Sequence, residues 1–235
     1  PPRPASSPVI VAIDEPSLAE IGRQWPWPRS LHARLVESLR AAGAKAIGLD
    51  IIFAEPSNPE ADAALAAAMG PDVVLAADET LIRTPQADQY IRVEPIADLT
   101  AKGAVPGLVS VLIDGDGTVR RMPGYRDGFA ARLLDRMELP VEGPAGTLMQ
   151  VFGPARTYET VSYYQALDPA NFLPDGIFRD RLVIVGLSMQ SAPSLDQGGA
   201  DAFATSYTPR SRRLVAGAEV QATIVDNLAA RVYVT

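Results

Sequence analysis

Within its first fifty residues the chain carries two short apolar runs that each end on an aspartate, with a helix-periodic stretch between them. Val9-Ile-Val-Ala-Ile13 is rich in β-branched residues and is bounded by Pro8 and Asp14, the pattern of a buried strand. Residues 45–49 repeat that pattern and run into Asp50. In between, Leu31, Leu35, Leu39 and Ala42 recur at helical spacing, Ser30 stands ready as a cap, and Gly43 stops the run. Strand, helix and strand at this separation form a βαβ unit, so the two strands run parallel and the crossover is right-handed. No other feature restricts the fold as much.

The rest of the chain continues the alternation. Asp14-Glu-Pro-Ser supplies helix-start chemistry for a short helix ending near Gly22. A helix is expected over residues 61–69, with Asn58 or Asp62 near its start, then a buried strand over 73–77. Edge strands are expected at 81–83 and 90–93, and Pro95 and Pro106 interrupt the pattern beyond them. Runs at 109–113 and 118–122 flank Asp114-Gly-Asp-Gly117 and predict a β-hairpin. Further on, the spacing predicts helices over 129–139, 160–167 and 215–230, strands over 147–152 and 182–186, and a loop over 188–213. The expected fold is α/β: a mainly parallel, mixed sheet with helices on both faces, plus a β-hairpin at about 109–122. Residues 1–7 read as a linker, without the apolar core of a signal peptide, and 8–235 as one domain.

Composition removes whole classes of function. With 21 Lys+Arg against 28 Asp+Glu the formal net charge is −7, the opposite of a nucleic-acid-binding balance. There is no cysteine, which excludes disulfide scaffolds, Cys-ligated metal centres and thiol nucleophiles. The single histidine, His32, rules out a multi-His metal site within one chain. Apolar runs are strand-sized, well short of the ~18 residues that cross a membrane. Proline is frequent, 21 of 235 residues, which points to many stiff loops in a folded chain.

Asp14 and Asp50 carry the most informative placement, each directly after a strand of one βαβ unit. Ligands of open α/β sheets bind beyond the carboxyl ends of the strands. Two such carboxylates suit Mg²⁺ or Ca²⁺, or a cationic ligand group; equally, each suits the cap of the helix that follows. Trp25-Pro-Trp-Pro-Arg29 lies between the two helices of the unit, where proline restricts the backbone. Arg29 is placed to pair with Asp14 or Asp50, to bind an anion, or to pack as a structural residue. Asp114-Gly-Asp-Gly117 lacks the later ligands of an EF-hand loop, and alternation sends Arg120 and Arg121 to opposite faces. His32 falls in the first turn of its helix and reads as a surface or capping residue. Nucleotide-binding glycine motifs are absent, and Gly186-Leu-Ser-Met-Gln lacks the last glycine of a nucleophile elbow. The remaining enzyme reading, a Mg²⁺ hydrolase on Asp14 and Asp50, has no nucleophile or second metal cluster behind it.

The stretches from Val9 to Leu18, Trp25-Pro-Trp-Pro-Arg29, and Ala42 to Phe53 resemble the CHASE2 domain. Asp114-Gly-Asp-Gly-Thr-Val-Arg-Arg121 is similar to that family's hairpin, residues 182–186 to its late strand, and Thr208-Pro209 with Gly217-Ala-Glu-Val-Gln-Ala222 to its closing helix. The resemblance runs over about residues 8–230. It implies a non-catalytic, extracytoplasmic sensor of a bacterial transmembrane receptor, with membrane helices on both sides of it and a cytoplasmic cyclase or kinase as output. It also implies a cleft, lined by Asp14, Arg29, Asp50, Phe53 and Asp201, for a small molecule or cation such as Ca²⁺ or Mg²⁺. Asp196 competes with Asp201 for its place. Gln221 stands where the family often has histidine. The last helix is expected to transmit the signal. The competing expectation is a structural or partner-docking ectodomain, working as a homodimer, in which the charged residues form an internal network.

Overall fold

A computed structural model describes residues 4, 7–83, 87–124, 126–139, 141, 146–189 and 201–233. Its centre is a sheet in which β1 (Val9–Ile13) lies between β8 (Thr160–Ser162) and β9 (Leu182–Leu187). On the far side of β9 come β2 (Ala46–Ile52) and β3 (Val73–Arg83). These five strands are mutually parallel. The end of β3 pairs antiparallel with β4 (Asp88–Val93), and its first half pairs parallel with β5 (Val105–Leu108), so the sheet is mixed.

Helices cover both faces, and side-chain alternation assigns the layers. Val9, Val11 and Ile13 of β1 face one core together with α2 (Arg29–Ala41), α3 (Pro59–Ala68) and α6 (Tyr163–Leu167). The short α1 (Glu15–Ile21) and α4 (Ala97–Thr100) lie on this side as well. Ile10 faces the other core, formed by α5 (Phe129–Arg136) and α9 (Gly217–Ala230). Between these elements run the hairpin β6 (Leu112–Ile113) with β7 (Val119–Arg121), then α7 (Pro169–Phe172). The pair β10 (Ala202–Phe203) and β11 (Val215–Ala216), separated by α8 (Thr208–Ser211), leads into α9.

The βαβ unit, α1 ending at a left-handed Gly22, and the Asn58 cap on α3 follow the sequence expectations. Several boundaries move for local reasons. α2 begins at Arg29 on a Pro28 cap, so Ser30 is inside the helix. Residues 160–167 split into β8 and α6, joined by a capping box between Ser162 and Gln165. Residues 147–152 form no strand; only a single bridge joins Leu148 to Arg121. Residues 105–108 do form one despite Pro106, because that position is on a sheet edge where a missing N–H is tolerated. The hairpin is shorter than 109–122, since Val109 N–H bonds to Ala77 O alongside β5. Arg120 and Arg121 both turn to the hairpin's own Asp114. Part of the expected loop over 188–213 lies outside the described residues.

Close helix–sheet contact depends on Gly48 in β2. A β-carbon there would come within 2.6 Å of Phe129 Cζ and 2.9 Å of Leu133 Cδ1. Both partners are fully buried. Gly48→Ala is therefore expected to lose about 1–3 kcal/mol of stability by overpacking. Urea unfolding is the check, and an unchanged midpoint would show that α5 is not held as tightly as the contact distances imply.

Candidate functional site

At the carboxyl ends of β2 and β9 the chain encloses a cleft of about 730 Å³, within the range of small-molecule sites. One wall is aromatic. Trp25 and Trp27 meet edge to face with centroids 5.3 Å apart, and Trp27 lies 4.8 Å from Tyr163. Trp27 Nε1 donates to Arg23 O at 3.1 Å, which fixes the indole in a loop already stiffened by Pro26 and Pro28. Phe53, just after β2, closes this wall, and Ile51 and Leu187 add aliphatic surface.

His32 belongs to the aromatic wall and is 1% exposed, which corrects its reading as a surface or capping residue. Its ring is 5.6 Å from Phe53, and its Nδ1 is 2.9 Å from the Tyr163 hydroxyl. Burial, and secondarily the positive charge of Arg29, lower its pKa to about 4, so it is neutral at physiological pH. The signal was present in the sequence: His32, Leu35, Val36 and Leu39 share the buried stripe of α2.

Arg29 lines the cleft but pairs with neither Asp14 nor Asp50. Its Nη1 donates to Asp62 Oδ1 at 2.9 Å, and its Nη2 donates to Glu55 O. Asp62 Oδ2 in turn accepts from Ser57 N at 2.8 Å. The guanidinium is 5.3 Å from the Phe53 ring centroid. This buried pair therefore ties the start of α2 to the β2–α3 connection and shapes the cleft mouth. The sequence offered Asp62 only as a helix-start residue and gave no reason to pair it with Arg29, 33 residues away.

Asp50 and Asp201 come together in the lining of the same cleft. Asp50 lies within β2, where the register to β3 shifts between Leu49 and Ile52. It packs beside Gly186, where a β-carbon would come within 3.2 Å of the Asp50 β-carbon. Asp201, with a left-handed φ of 63°, bends the chain toward the first residue of α9. Gly217 N–H bonds to Asp201 O at 3.0 Å, and a β-carbon on Gly217 would overlap the Asp201 carboxylate. Burial, and then the neighbouring charge of Asp201, push the Asp50 pKa well above the usual carboxylate range. Burial pushes Asp201 up to about 7. Among the described residues neither carboxylate has an ion-pair partner, and residues 190–200, which are not described, contain no Lys or Arg.

Asp14 is placed elsewhere. It is the N-cap of α1, and its Oδ1 accepts from Ser17 N at 3.0 Å and Ser17 Oγ at 2.6 Å. Its Oδ2 accepts from Ser162 Oγ at 2.7 Å. Strand β9 separates β1 from β2, so the two strands are roughly 10 Å apart, twice the strand spacing. Asp196 lies outside the described residues. Gln221, on α9, donates from Nε2 to Val109 O at 2.8 Å.

The donor set fits a metal poorly. Ca²⁺ takes six to eight oxygens, and Mg²⁺ takes six in a strict octahedron. Asp14 is committed to hydroxyl and amide donors, and among the described residues no three His, Asp or Glu side chains gather at metal spacing. No helix among the described residues is long and apolar enough to cross a membrane. A protein-family model, the CHASE2 domain, matches residues 2–234, nearly the whole chain. No curated protein and no solved structure matches it.

Proposed function

The chain belongs to the CHASE2 family, whose members are extracytoplasmic, non-catalytic sensory domains of signalling receptors, and from that premise we propose that it senses a small molecule in the Trp25–Asp201 cleft. The observation that carries this reading is a roomy cleft at the carboxyl ends of the strands, lined by both a rigid aromatic wall and two carboxylates. The cleft also touches α9. Asp201 precedes β10, β10 pairs with β11, and β11 runs directly into α9. A ligand that moves Asp201 therefore pulls on the first turn of that helix.

α9 is suited to moving between discrete positions. It is buried over nearly its whole length, and its polar side chains are tied to the scaffold in several directions. Glu219 accepts from Arg156 N at 2.7 Å, and Asn227 exchanges two hydrogen bonds with the Gln150 backbone. Directional bonds of this kind break and re-form as a set, so a shift leads to a second packed arrangement and not to gradual bending. Ligand biases such an equilibrium only by binding one arrangement better than the other. The output this helix drives, a cyclase or kinase across the membrane, belongs to the same proposal.

Both tryptophans of the chain are in the cleft, so tryptophan emission, excited selectively over the seven tyrosines, reports on this site. A thermal-shift and fluorescence screen of amino acids, amines, sugars, nucleotides, Ca²⁺ and Mg²⁺ is expected to find a compound that raises Tm and alters tryptophan emission together. At a hundred times its Kd it adds about 2.7 kcal/mol by mass action. A screen without a stabiliser, combined with concentration-dependent sedimentation, favours the partner-docking reading instead.

A further inference from the structure

Resting on the reading of the cleft as a ligand site, we infer that its ligand is an organic ammonium with an apolar body, its nitrogen seated between Asp50 and Asp201 and its body against Trp25 and Trp27. Three observations converge. First, the charge of the cleft is unbalanced. Its one arginine is neutralised by Asp62, whereas Asp50 and Asp201 lie close enough to repel each other and have no ion-pair partner among the described residues.

Second, the imbalance extends beyond the cleft. A shallower hollow of about 380 Å³ adjoins it, and Asp50 and Asp201 line both. Asp78 and Glu79 line the hollow as well, and its lining contains no Lys, Arg or His. Four acidic side chains thus gather in one hollow; Asp78 and Glu79 bias it toward cations, and a bound cation would draw Asp50 and Asp201 toward their ionised forms. The four are too dispersed to close on one metal ion, since no three of them reach metal spacing. An ammonium needs only two or three acceptors, and a carboxylate pair supplies them.

Third, most of the remaining lining is apolar or aromatic, with Ser57 and Asn58 the neutral polar exceptions beside the paired Arg29 and the neutral His32. A hydrated metal ion gains nothing from indole faces, whereas an organic cation gains both dispersion and attraction to the ring quadrupole. The two halves of the site then match the two halves of one ligand. The raised carboxylate pKa values are consistent with this: an incoming ammonium offsets the cost of ionising buried carboxyls and the repulsion between them, and binding should strengthen as pH rises toward 8.

The test uses isosteric probes that share one skeleton. 2-Phenylethylamine, 2-phenylethanol and 3-phenylpropionate are titrated against the chain by tryptophan fluorescence and thermal shift, with hexylamine and hexanol as an aliphatic pair and CaCl₂ and MgCl₂ as controls. The amines are expected to bind about tenfold to a hundredfold more tightly than the alcohols, as a charge-assisted hydrogen bond predicts, and the acid should not bind. Asp50→Asn and Asp201→Asn keep the side-chain volume, so they should fold, and each should remove that preference. Equal binding of alcohol and amine overturns the inference and leaves the cleft reading standing. So does saturable stabilisation by Ca²⁺ or Mg²⁺ that Asp50→Asn abolishes. If none of these probes changes tryptophan emission, the ammonium inference fails; a sugar or nucleotide found in the wider screen then retains the cleft, and an empty wider screen removes both.

Discussion

Arg29→Ala is expected to lower stability by about 3–5 kcal/mol, the usual consequence of leaving one member of a buried ion pair without its partner. The guanidinium and the Asp62 carboxylate are about 10% exposed, so water cannot replace either. Removing Arg29 leaves Asp62 with only Ser57 N on its other oxygen and strips the Glu55 carbonyl of its donor. For a chain of this size each kcal/mol corresponds to about 2–4 °C, so Tm should fall by roughly 6–20 °C. Replacing both partners with apolar residues, Arg29→Met with Asp62→Leu, should recover much of the loss, because the desolvation penalty disappears with the charges. A loss below about 1 kcal/mol in Arg29→Ala would show that water screens the pair as it does on a surface. Since the pair holds the β2–α3 connection against α2, the single variant should also weaken any ligand that binds the cleft.

The second large effect concerns His32 and pH. Its folded pKa of about 4 lies below the ordinary value of 6.5. Above pH 6.5 the ring is neutral in both states, and its contribution is fully present. As pH falls below 6.5 the unfolded chain takes up a proton that the buried ring refuses, and stability is lost until about pH 4. The interval corresponds to roughly 3 kcal/mol. Asp201 acts in the opposite direction over the same range. Its carboxyl is raised from 3.8 to about 7, so its contribution is complete below about pH 4 and is lost as pH rises through 7. Asp50, also raised, adds to that slope. The wild-type profile is therefore shallower than either limb alone. Subtracting the profile of His32→Gln cancels the shared groups and should expose the histidine limb. Direct observation is simpler, because the chain has one histidine and its imidazole proton resonances identify themselves. A titration midpoint near 6.5 would contradict the buried position of the ring against Tyr163.

Much of this architecture was legible because its signals are local. Apolar runs of strand length, the helical stripe of α2, and the Gly22 and Asn58 punctuation all act within a few residues of themselves. The CHASE2 resemblance was legible for the same reason, since its motifs are short and stand in order. Errors arose where a neighbour in space decided the outcome. Residues 147–152 have the composition of a strand, but Gln150 bonds through its backbone to the side chain of Asn227. Residues 105–108 include a proline, yet the open edge of β3 accepts them. His32 read as polar and therefore exposed, although its position on the helical stripe placed it among the aromatic rings.

For the site, the sequence by itself determined that Asp14 and Asp50 stand at the ends of parallel strands and that a proline-stiffened Trp–Arg loop lies in the crossover between them. That follows from alternation and turn chemistry, which operate over a handful of residues. Only the tertiary structure decided which of them meet. Strand β9, arriving some 130 residues after β2, inserts between β1 and β2 and separates Asp14 from Asp50. Beyond β9 the chain brings Asp201 to Asp50, while Arg29 pairs with Asp62 and not with Asp14 or Asp50. Strand order is set by how distant segments pack, and no local pattern encodes it. The charge imbalance that defines the cleft is a product of that packing.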